Sequence, residues 1–260
     1  MSARFVALPL GRGLGVRLLV TTMGRSAARV SFRDSGGEII HSDLCSASSA
    51  VLAASRPWRT FRWHHGQAHF SGWYWAATMR RHVVYESRLE LARLLLADFD
   101  PSVAAIAAQP FYLTACMNGR ERNHVPDFLL LGGDGVVNVV NVKPAGHLAD
   151  PKVAEALRWA GAVFAERGWS HEIWTGASAV QLSNVRFLAA YRDPARLDPV
   201  VVSAVAETVE GPVRLCEIER AWPQRSDEAR AAVLHLVWRG VIRADLSVPL
   251  SAETVLERVA

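Results

Sequence analysis

The feature that most constrains the fold is a pair of apolar runs separated by a short glycine-rich turn. Residues 128–131 and 136–142 flank the Gly-Gly-Asp-Gly sequence at 132–135, and most of their side chains are apolar. Strands of this composition are covered on both faces, as in sheets that pack between helices. The two runs therefore predict central strands of an α/β fold.

The segments on either side of these runs predict helices and further strands. Residues 87–97 are apolar over much of a helix surface, and Asp100-Pro101 ends that helix because a residue before proline disfavours helical backbone. A second helix is predicted over residues 151–167, where apolar side chains recur at helical spacing. Further strands are predicted at residues 28–32, 38–40, 103–108, 111–117 and 171–174, with a hairpin turn at Asn118-Gly119. The expected core is a mixed sheet flanked by helices.

The C-terminal quarter has a different character. From about Pro199, three short amphipathic helices are followed by residues 241–248, which could form a β-ribbon. This order is similar to a winged helix-turn-helix, a fold that binds DNA grooves or docks on proteins. The third helix carries both arginines and acidic residues, so both uses remain open. We expect three regions: an N-terminal extension and hairpin at 1–55, a main domain at 56–195 and a small winged-helix-like domain at 196–260.

The chain carries a small excess of positive charge. Lys and Arg exceed Asp and Glu by 29 − 25 = 4, and a pI of about 9.3 suits an anionic partner. The cysteines are widely spaced and form no Cys-x-x-Cys pair, which is typical of reduced thiols. No apolar run approaches the ~20 residues of a membrane-spanning helix, and arginines interrupt the apolar N-terminus. These features predict a cytoplasmic protein with no membrane association.

A strongly basic stretch runs from Arg56 to Tyr85. It contains four tryptophans, four histidines and no acidic residue. Guanidinium groups contact phosphates and aromatic rings stack on sugars or bases, so the stretch predicts DNA contact. We expect the arginines to contact DNA and at least two of the tryptophans to pack in the core. The candidate DNA-binding residues are the five arginines Arg56, Arg59, Arg62, Arg80 and Arg81.

Four polar side chains could meet in one acidic pocket. Glu90 lies on the first predicted helix, Asp127 precedes the first apolar run, and Asn141 and Lys143 close the second one. Because Asn141 and Lys143 are two apart, they point to the same face of a strand. Mg²⁺ prefers oxygen ligands, and in phosphodiester hydrolysis it lowers the pKa of a water and neutralises developing charge. The predicted metal ligands are Glu90, Asp127 and Asn141. Lys143 would hold the nucleophilic water or the scissile phosphate.

The order of these phrases resembles a known family. Ser-x-x-Glu on a helix, then Pro-Asp, then x-Val-Lys is similar to the restriction-endonuclease-like core, and the surrounding residues resemble the TnsA-type endonuclease subunits of heteromeric transposases. Each phrase is weak alone, and their order is what is specific. The resemblance covers residues 56–170 closely and the C-terminal quarter more loosely. Its phrases are Gly72-Trp73-Tyr74-Trp75-Ala76-Ala77-Thr78, Tyr85-Glu86-Ser87-Arg88-Leu89-Glu90-Leu91, Gln109-Pro110, His124-Val125-Pro126-Asp127-Phe128 and Val142-Lys143-Pro144.

The resemblance implies a restriction-endonuclease-like fold with an endonuclease domain at 56–195. The catalytic set of the family carries over to Glu90, Asp127 and Lys143. The implied activity is cleavage of one strand of double-stranded DNA at transposon ends. The implied partners are an integrase-like transposase subunit, which handles the other strand, and an ATPase regulator. Mg²⁺ is the expected cofactor, and Mn²⁺ is a possible substitute.

The sequence departs from the family at one position and leaves alternatives open. The residue two before the lysine is usually Asp, Glu or Gln, and here it is the shorter and neutral Asn141. Weakened metal binding would fit a non-catalytic DNA-binding or assembly subunit of the transposition machinery. A stand-alone restriction or repair nuclease with the same core is a further alternative. Glu86 lies one turn before Glu90 and is interpreted as a neighbour of the site.

Overall fold

The computed structural model describes residues 28–59, 70–117 and 119–259. The strands in these ranges are β1 (Arg29–Arg33), β2 (Ile39–Asp43), β3 (Gly72–Ala76), β4 (Arg81–Tyr85), β5 (Val103–Ala108), β6 (Tyr112–Met117), β7 (Arg120–His124), β8 (Phe128–Gly132), β9 (Val137–Val142), β10 (Ser170–Trp174), β11 (Val213–Arg214), β12 (Ile242–Ala244) and β13 (Val255–Arg258). The α-helices are α1 (Ser49–Ala53), α2 (Arg88–Phe99), α3 (Pro151–Glu166), α4 (Ala179–Leu188), α5 (Pro199–Thr208), α6 (Leu215–Ala221) and α7 (Ser226–Trp238). This mixture of sheets and helices is the α/β class that the sequence predicts.

The central sheet is mixed, as the apolar runs predict. Its strand order is β10-β9-β8-β5, in which β9 and β10 are parallel and the other pairs are antiparallel. Along β8, side chains alternate between two buried clusters, with Phe128 and Leu130 in one and Leu129 in the other. Both faces of this sheet are therefore covered, which explains why β8 and β9 are rich in apolar residues.

The predicted N-terminal hairpin belongs to a second, antiparallel sheet. The strand order of this sheet is β2-β1-β6-β7, and β1 pairs directly with β6. Val30 of β1 and Leu113 of β6 share a buried cluster with Leu129 and with Phe164 of α3. The boundary predicted at residue 55 thus falls between two strands that pair and share one core.

Helix α2 begins at a capped turn. Ser87 is its N-cap, and Ser87 Oγ accepts a hydrogen bond from Glu90 N at 3.0 Å. In return, the Glu90 carboxylate accepts from Glu86 N at 2.8 Å and from Ser87 Oγ at 3.1 Å. This reciprocal arrangement is close to a capping box and satisfies N–H groups that the first turn leaves unpaired. The helix ends before Asp100-Pro101, as predicted.

A hairpin of β3 and β4, which the sequence does not predict, precedes α2. Buried Asp98 on α2 accepts hydrogen bonds from Tyr74 Oη at 2.7 Å, Ala77 N at 3.0 Å and Thr78 N at 2.8 Å. A buried carboxylate needs such donors to offset its lost hydration. The Gly-Trp-Tyr-Trp-Ala-Ala-Thr phrase therefore has a structural role, because it anchors the hairpin to α2.

The C-terminal region shares a hydrophobic core with the main domain. Helices α5, α6 and α7 match the three predicted helices, and β11, β13 and β12 form a small sheet. Its β12–β13 pair spans residues 242–258, beyond the ribbon predicted at 241–248. Trp238 of α7 meets Phe99 of α2 edge-on, with ring centroids 5.4 Å apart. The winged-helix interpretation stays a prediction. Within the described ranges, no helix combines the length and apolar character needed to cross a membrane.

Candidate active site

Asp127 is the centre of a buried polar network. It lies just before β8, and its Oδ2 accepts hydrogen bonds from Val142 N at 2.7 Å and from Asn141 Nδ2 at 3.3 Å. The Lys143 ammonium lies 3.5 Å from the same oxygen. The two N–H donors and the nearby ammonium fix the orientation of the carboxylate. Oδ1 receives no hydrogen bond from the described part of the chain.

Glu90 reaches the same region from the first turn of α2. Burial raises the pKa of Glu90 to about 7, while the hydrogen bonds from Glu86 N and Ser87 oppose the rise. The negative charge of Asp127 adds to the rise, so the two carboxylates interact electrostatically. Carboxylates that share a site disfavour each other's ionisation, and a bound cation would offset that repulsion.

Asn141 is buried, and both ends of its amide are hydrogen bonded. Its Oδ1 lies 2.9 Å from His124 Nε2 and 3.0 Å from His171 Nε2, while its Nδ2 donates to Asp127. The sequence predicts that this oxygen binds metal, but here it faces two imidazole rings. A metal contact from Asn141 would require the amide to exchange the positions of its oxygen and nitrogen.

The two histidines are site residues that the sequence reasoning misses. Burial lowers the pKa of His124, and burial together with the charge of His124 lowers the pKa of His171 to about 4. Both rings are therefore neutral near pH 7, and a neutral ring that donates from Nε2 suits a carbonyl oxygen. His124 lies three residues before Asp127, which is a weak local signal. His171 has none, because only the parallel pairing of β9 and β10 brings it to Asn141.

Gln109 connects Asp127 to the segment before the β3–β4 hairpin. Its N–H donates to Asp127 O at 2.9 Å, its carbonyl accepts from Trp58 N at 2.9 Å, and its Oε1 accepts from Arg59 N at 3.2 Å. Buried Gln109 has a φ of 46°, in the left-handed region that non-glycine residues seldom adopt. Such backbone persists where the surrounding structure enforces it, and it is concentrated at functional sites. The Gln-Pro phrase thus positions the site.

An open cavity of about 490 Å³ lies over Asp127 and Lys143. One part of its wall is formed by the rings of Trp58 and Tyr112, which stack with centroids 5.4 Å apart. Arg59 lines the cavity and also pairs with Glu86, with an Nη1 to Oε2 distance of 2.8 Å. A cavity of this size falls in the range of small-ligand sites, about 300–1,000 Å³.

Comparison with known families gives a match over this part of the fold. A family model described as "TnsA-like endonuclease N terminal" matches residues 100–176. Residues 100–176 are therefore similar to the N-terminal domain of TnsA-like endonucleases. The match spans β5 to β10 with α3, and it includes Asp127, Asn141 and Lys143. This similarity indicates a nuclease related to transposition, for which DNA and a transposase are the partners in general terms. No curated protein matches the chain.

Helix α2 precedes the matched TnsA-like endonuclease segment, so Glu90 lies outside the match. Its place in the site therefore depends on the structure. Leu94 of α2 shares a buried cluster with Phe128 and Val140 of the matched segment, which links the helix to it. Burial, with a smaller contribution from the charge of Asp127, raises the pKa of Glu90. The carboxylate pair of Glu90 and Asp127 as metal ligands stays a prediction.

The predicted DNA-binding arginines fall in different places around the TnsA-like endonuclease domain. Arg56 and Arg81 line a second cavity of about 290 Å³. Arg59 lines the cavity over Asp127 instead. Arg80 is exposed on the turn between β3 and β4. Arg62 lies outside the described residues, and the DNA contacts of all five stay predictions.

The donor set fits a hard divalent cation. Within the described ranges, no group of three or more His, Cys, Asp or Glu side chains is gathered so as to hold a metal by itself. Mg²⁺ is commonly bound by one or two carboxylates and keeps several waters, so a larger group is not required. Glu90 and Asp127 supply two carboxylates, and Asp127 Oδ1 has no donor among the described residues.

Proposed function

We propose that this chain is a Mg²⁺-dependent DNA endonuclease that hydrolyses one strand at transposon ends as part of a heteromeric transposase. The observation that carries the proposal is the Asp127 carboxylate, held by Val142 N and Asn141 Nδ2 beside the Lys143 ammonium and next to an open cavity. The TnsA-like match over residues 100–176 supports the same chemistry. Glu90 and Asp127 would hold Mg²⁺, which supplies a water of lowered pKa and neutralises charge on the phosphate.

In this proposal, Lys143 holds the attacking water or the scissile phosphate. Its backbone N–H donates to Trp174 O at 2.9 Å, which fixes the chain just after β9. Its ammonium, attracted by Asp127, lies beside the cavity where the phosphate would bind. A positive group at this place stabilises the negative charge that develops on the phosphate oxygens.

Basic side chains would hold the DNA. Arg56 and Arg81 line one cavity together with Trp73, whose surface is 58% exposed. Guanidinium groups bind phosphates, and an exposed indole can stack on a sugar or base. Arg59 has five N–H donors, so it can bind a phosphate while it keeps its ion pair with Glu86.

We propose that the C-terminal region docks a protein partner rather than reading bases. A helix that reads DNA must present a free face to the groove. Residues 232–238 of α7 are all buried, and the exposed first turn carries the acidic Asp227 and Glu228, which a DNA groove would repel. Arg225 pairs with Asp198 and Glu228, and Arg230 is paired as well, so their charges are compensated. The integrase-like transposase subunit and the ATPase regulator are the candidate partners that the sequence resemblance implies.

A second candidate function is a non-catalytic DNA-binding or assembly subunit. The observation that favours it is the orientation of Asn141, whose oxygen faces His124 and His171 instead of the carboxylates. A site with only two protein ligands holds Mg²⁺ more weakly than one with three. In that case the carboxylates would support the fold and the DNA would bind without being cut.

Nicking of supercoiled plasmid DNA that carries a transposon end separates these functions. The assay uses the full chain with Mg²⁺ or Mn²⁺, with and without an integrase-like transposase subunit. We expect the nicking rate of Lys143→Ala to be at least about a hundredfold lower than that of the wild type. The loss of one group that stabilises charge in the transition state lowers the rate by about 10²–10³. Lys152→Ala, an exposed lysine on α3, is the matched control and should keep full activity.

The other outcomes of this assay point elsewhere. DNA binding that needs no metal, with no nicking under any condition, would support the assembly subunit. Nicking that is equally fast without the transposase, at sites unrelated to transposon ends, would support a stand-alone restriction or repair nuclease. Nicking that survives in Lys143→Ala would contradict the role proposed for that lysine.

A further inference from the structure

Helix α3 makes room for one of the two imidazole rings beside Asn141. A Cβ placed on Gly161, in the middle of this helix, would lie 2.6 Å from His171 Nδ1, closer than a van der Waals contact allows. Glycine costs a helix interior about 1 kcal/mol relative to alanine. Gly161 therefore lowers the stability of the helix at the position against which His171 packs.

The same helix holds both rings in place. Phe164 of α3 meets His171 edge-on with centroids 5.4 Å apart, and Trp159 of α3 meets His124 edge-on at 6.2 Å. Edge-to-face packing of this kind orients a ring as well as burying it. Both Nε2 atoms consequently point at one atom, Asn141 Oδ1.

The charges around Asn141 favour one orientation of its amide. As placed, Oδ1 accepts from two ring N–H groups and Nδ2 donates to the carboxylate of Asp127. In the reversed orientation, Oδ1 would lie 3.3 Å from the anionic Asp127 Oδ2, the present distance of Nδ2. Two oxygen acceptors at that distance repel each other unless a proton or a cation lies between them. The surroundings therefore select the amide as a donor toward Asp127.

We propose that His124 and His171 are positioning residues that hold Asn141 as a hydrogen-bond donor to Asp127. In this arrangement, protein donors occupy Asp127 Oδ2, and Oδ1 is the oxygen left for Mg²⁺. Asn141 orients a metal ligand and is not itself a ligand. The catalytic meaning of this inference rests on the proposed nuclease function, but the amide orientation can be measured whether or not the protein cuts DNA.

The ring tautomers test the proposal directly. Long-range ¹H–¹⁵N spectra of the labelled full chain distinguish Nε2–H from Nδ1–H, and single His→Gln variants assign the signals. We expect Nε2–H in both rings without metal, and the same tautomer throughout a Mg²⁺ titration. If the Asn141 oxygen turned to the metal, its NH₂ would face the rings, and both would have to become Nδ1–H to accept. That switch, or Nδ1–H in the metal-free protein, would overturn the proposal.

Gly161→Ala perturbs this arrangement without changing any residue of the site. The added methyl group must displace His171, and we expect a nicking rate at saturating DNA about tenfold lower, with the KM for DNA changed less than twofold. Losing a group that orients a metal ligand typically costs 10–100-fold. Gly211→Ala is the control, since nothing lies within 4 Å of a Cβ there.

Two further variants keep the test decisive if Gly161→Ala fails to fold. His171→Phe keeps an aromatic ring but removes the donor, whereas His171→Gln keeps a donor. We expect the Phe variant to lose nicking as Gly161→Ala does, and the Gln variant to recover part of it. Wild-type rates in His171→Phe together with an unchanged His124 signal would overturn the proposal. If the wild-type protein does not nick DNA, the nuclease proposal fails alone, because the tautomers can still be read.

Discussion

Replacing Glu90 by glutamine should remove a large pH dependence of stability. Burial, with a further contribution from the charge of Asp127, raises the pKa of Glu90 from 4.5 to about 7 in the folded protein. An acid whose pKa is raised on folding stabilises the fold fully below its unfolded pKa, and this contribution is lost as the pH rises through 7. One pKa unit corresponds to about 1.4 kcal/mol, so the loss between pH 4 and pH 9 is about 3 kcal/mol.

Glutamine is neutral at every pH and keeps an oxygen that can accept the Glu86 N–H. We expect Glu90→Gln to match the wild-type free energy of unfolding within about 1 kcal/mol at pH 4, and to exceed it by about 3 kcal/mol at pH 9. Urea unfolding at several pH values, without divalent cations, measures this difference. A difference that stays constant from pH 4 to pH 9 would refute the reasoning.

Glu86→Gln is the matched control for this experiment. It removes a carboxylate one turn away, whose partner Arg59 is half exposed, with 51% of its side-chain surface accessible. Exposed ion pairs contribute about 1 kcal/mol or less, so its unfolding free energy should differ little from wild type. A large effect of Glu86→Gln would mean that general charge in this region, rather than Glu90 itself, sets the pH dependence.

Three other perturbations test the metal, the hairpin and the DNA surface. Mg²⁺ at pH 8 should raise the Tm of the wild type in differential scanning fluorimetry and leave the Tm of Glu90→Gln unchanged, because a ligand stabilises only the state that binds it. Equal increases in Tm for the two proteins would contradict Glu90 as a metal ligand. Asp98→Asn should lower the free energy of unfolding in urea by about 1–3 kcal/mol, since the new NH₂ group would face a donor such as Tyr74 Oη. A decrease near zero would contradict the proposal that Asp98 anchors the hairpin. Arg81→Ala should reduce the slope of log Kobs against log salt for DNA binding by about 1, and an unchanged slope would mean that Arg81 touches no phosphate.

The sequence locates the elements that carry the candidate site because their signals are local. The apolar runs at 128–131 and 136–142 identify β8 and β9, since a strand covered on both faces needs apolar side chains at nearly every position. Ser87 and Glu90, three residues apart, mark the start of α2, and the same carboxylate is the predicted metal ligand. Asn141 and Lys143 both reach Asp127.

Other features depend on residues far apart in the chain, and the sequence does not reveal them. The β3–β4 hairpin is held by Asp98, more than twenty residues from Tyr74. The predicted strands separate into two sheets because β1 pairs with β6 rather than with the central strands. Nothing near Asn141 in the sequence indicates that its oxygen faces His171.

The sequence by itself therefore determined the α/β class, the helices and strands that carry the candidate site and the identity of the acidic and basic side chains, because periodicity, caps and turns act over a few residues. The tertiary structure decided the raised pKa of Glu90, the orientation of the Asn141 amide and the space that Gly161 leaves for an imidazole ring. Burial and strand pairing produce these properties, and both depend on which distant segments come together when the chain folds.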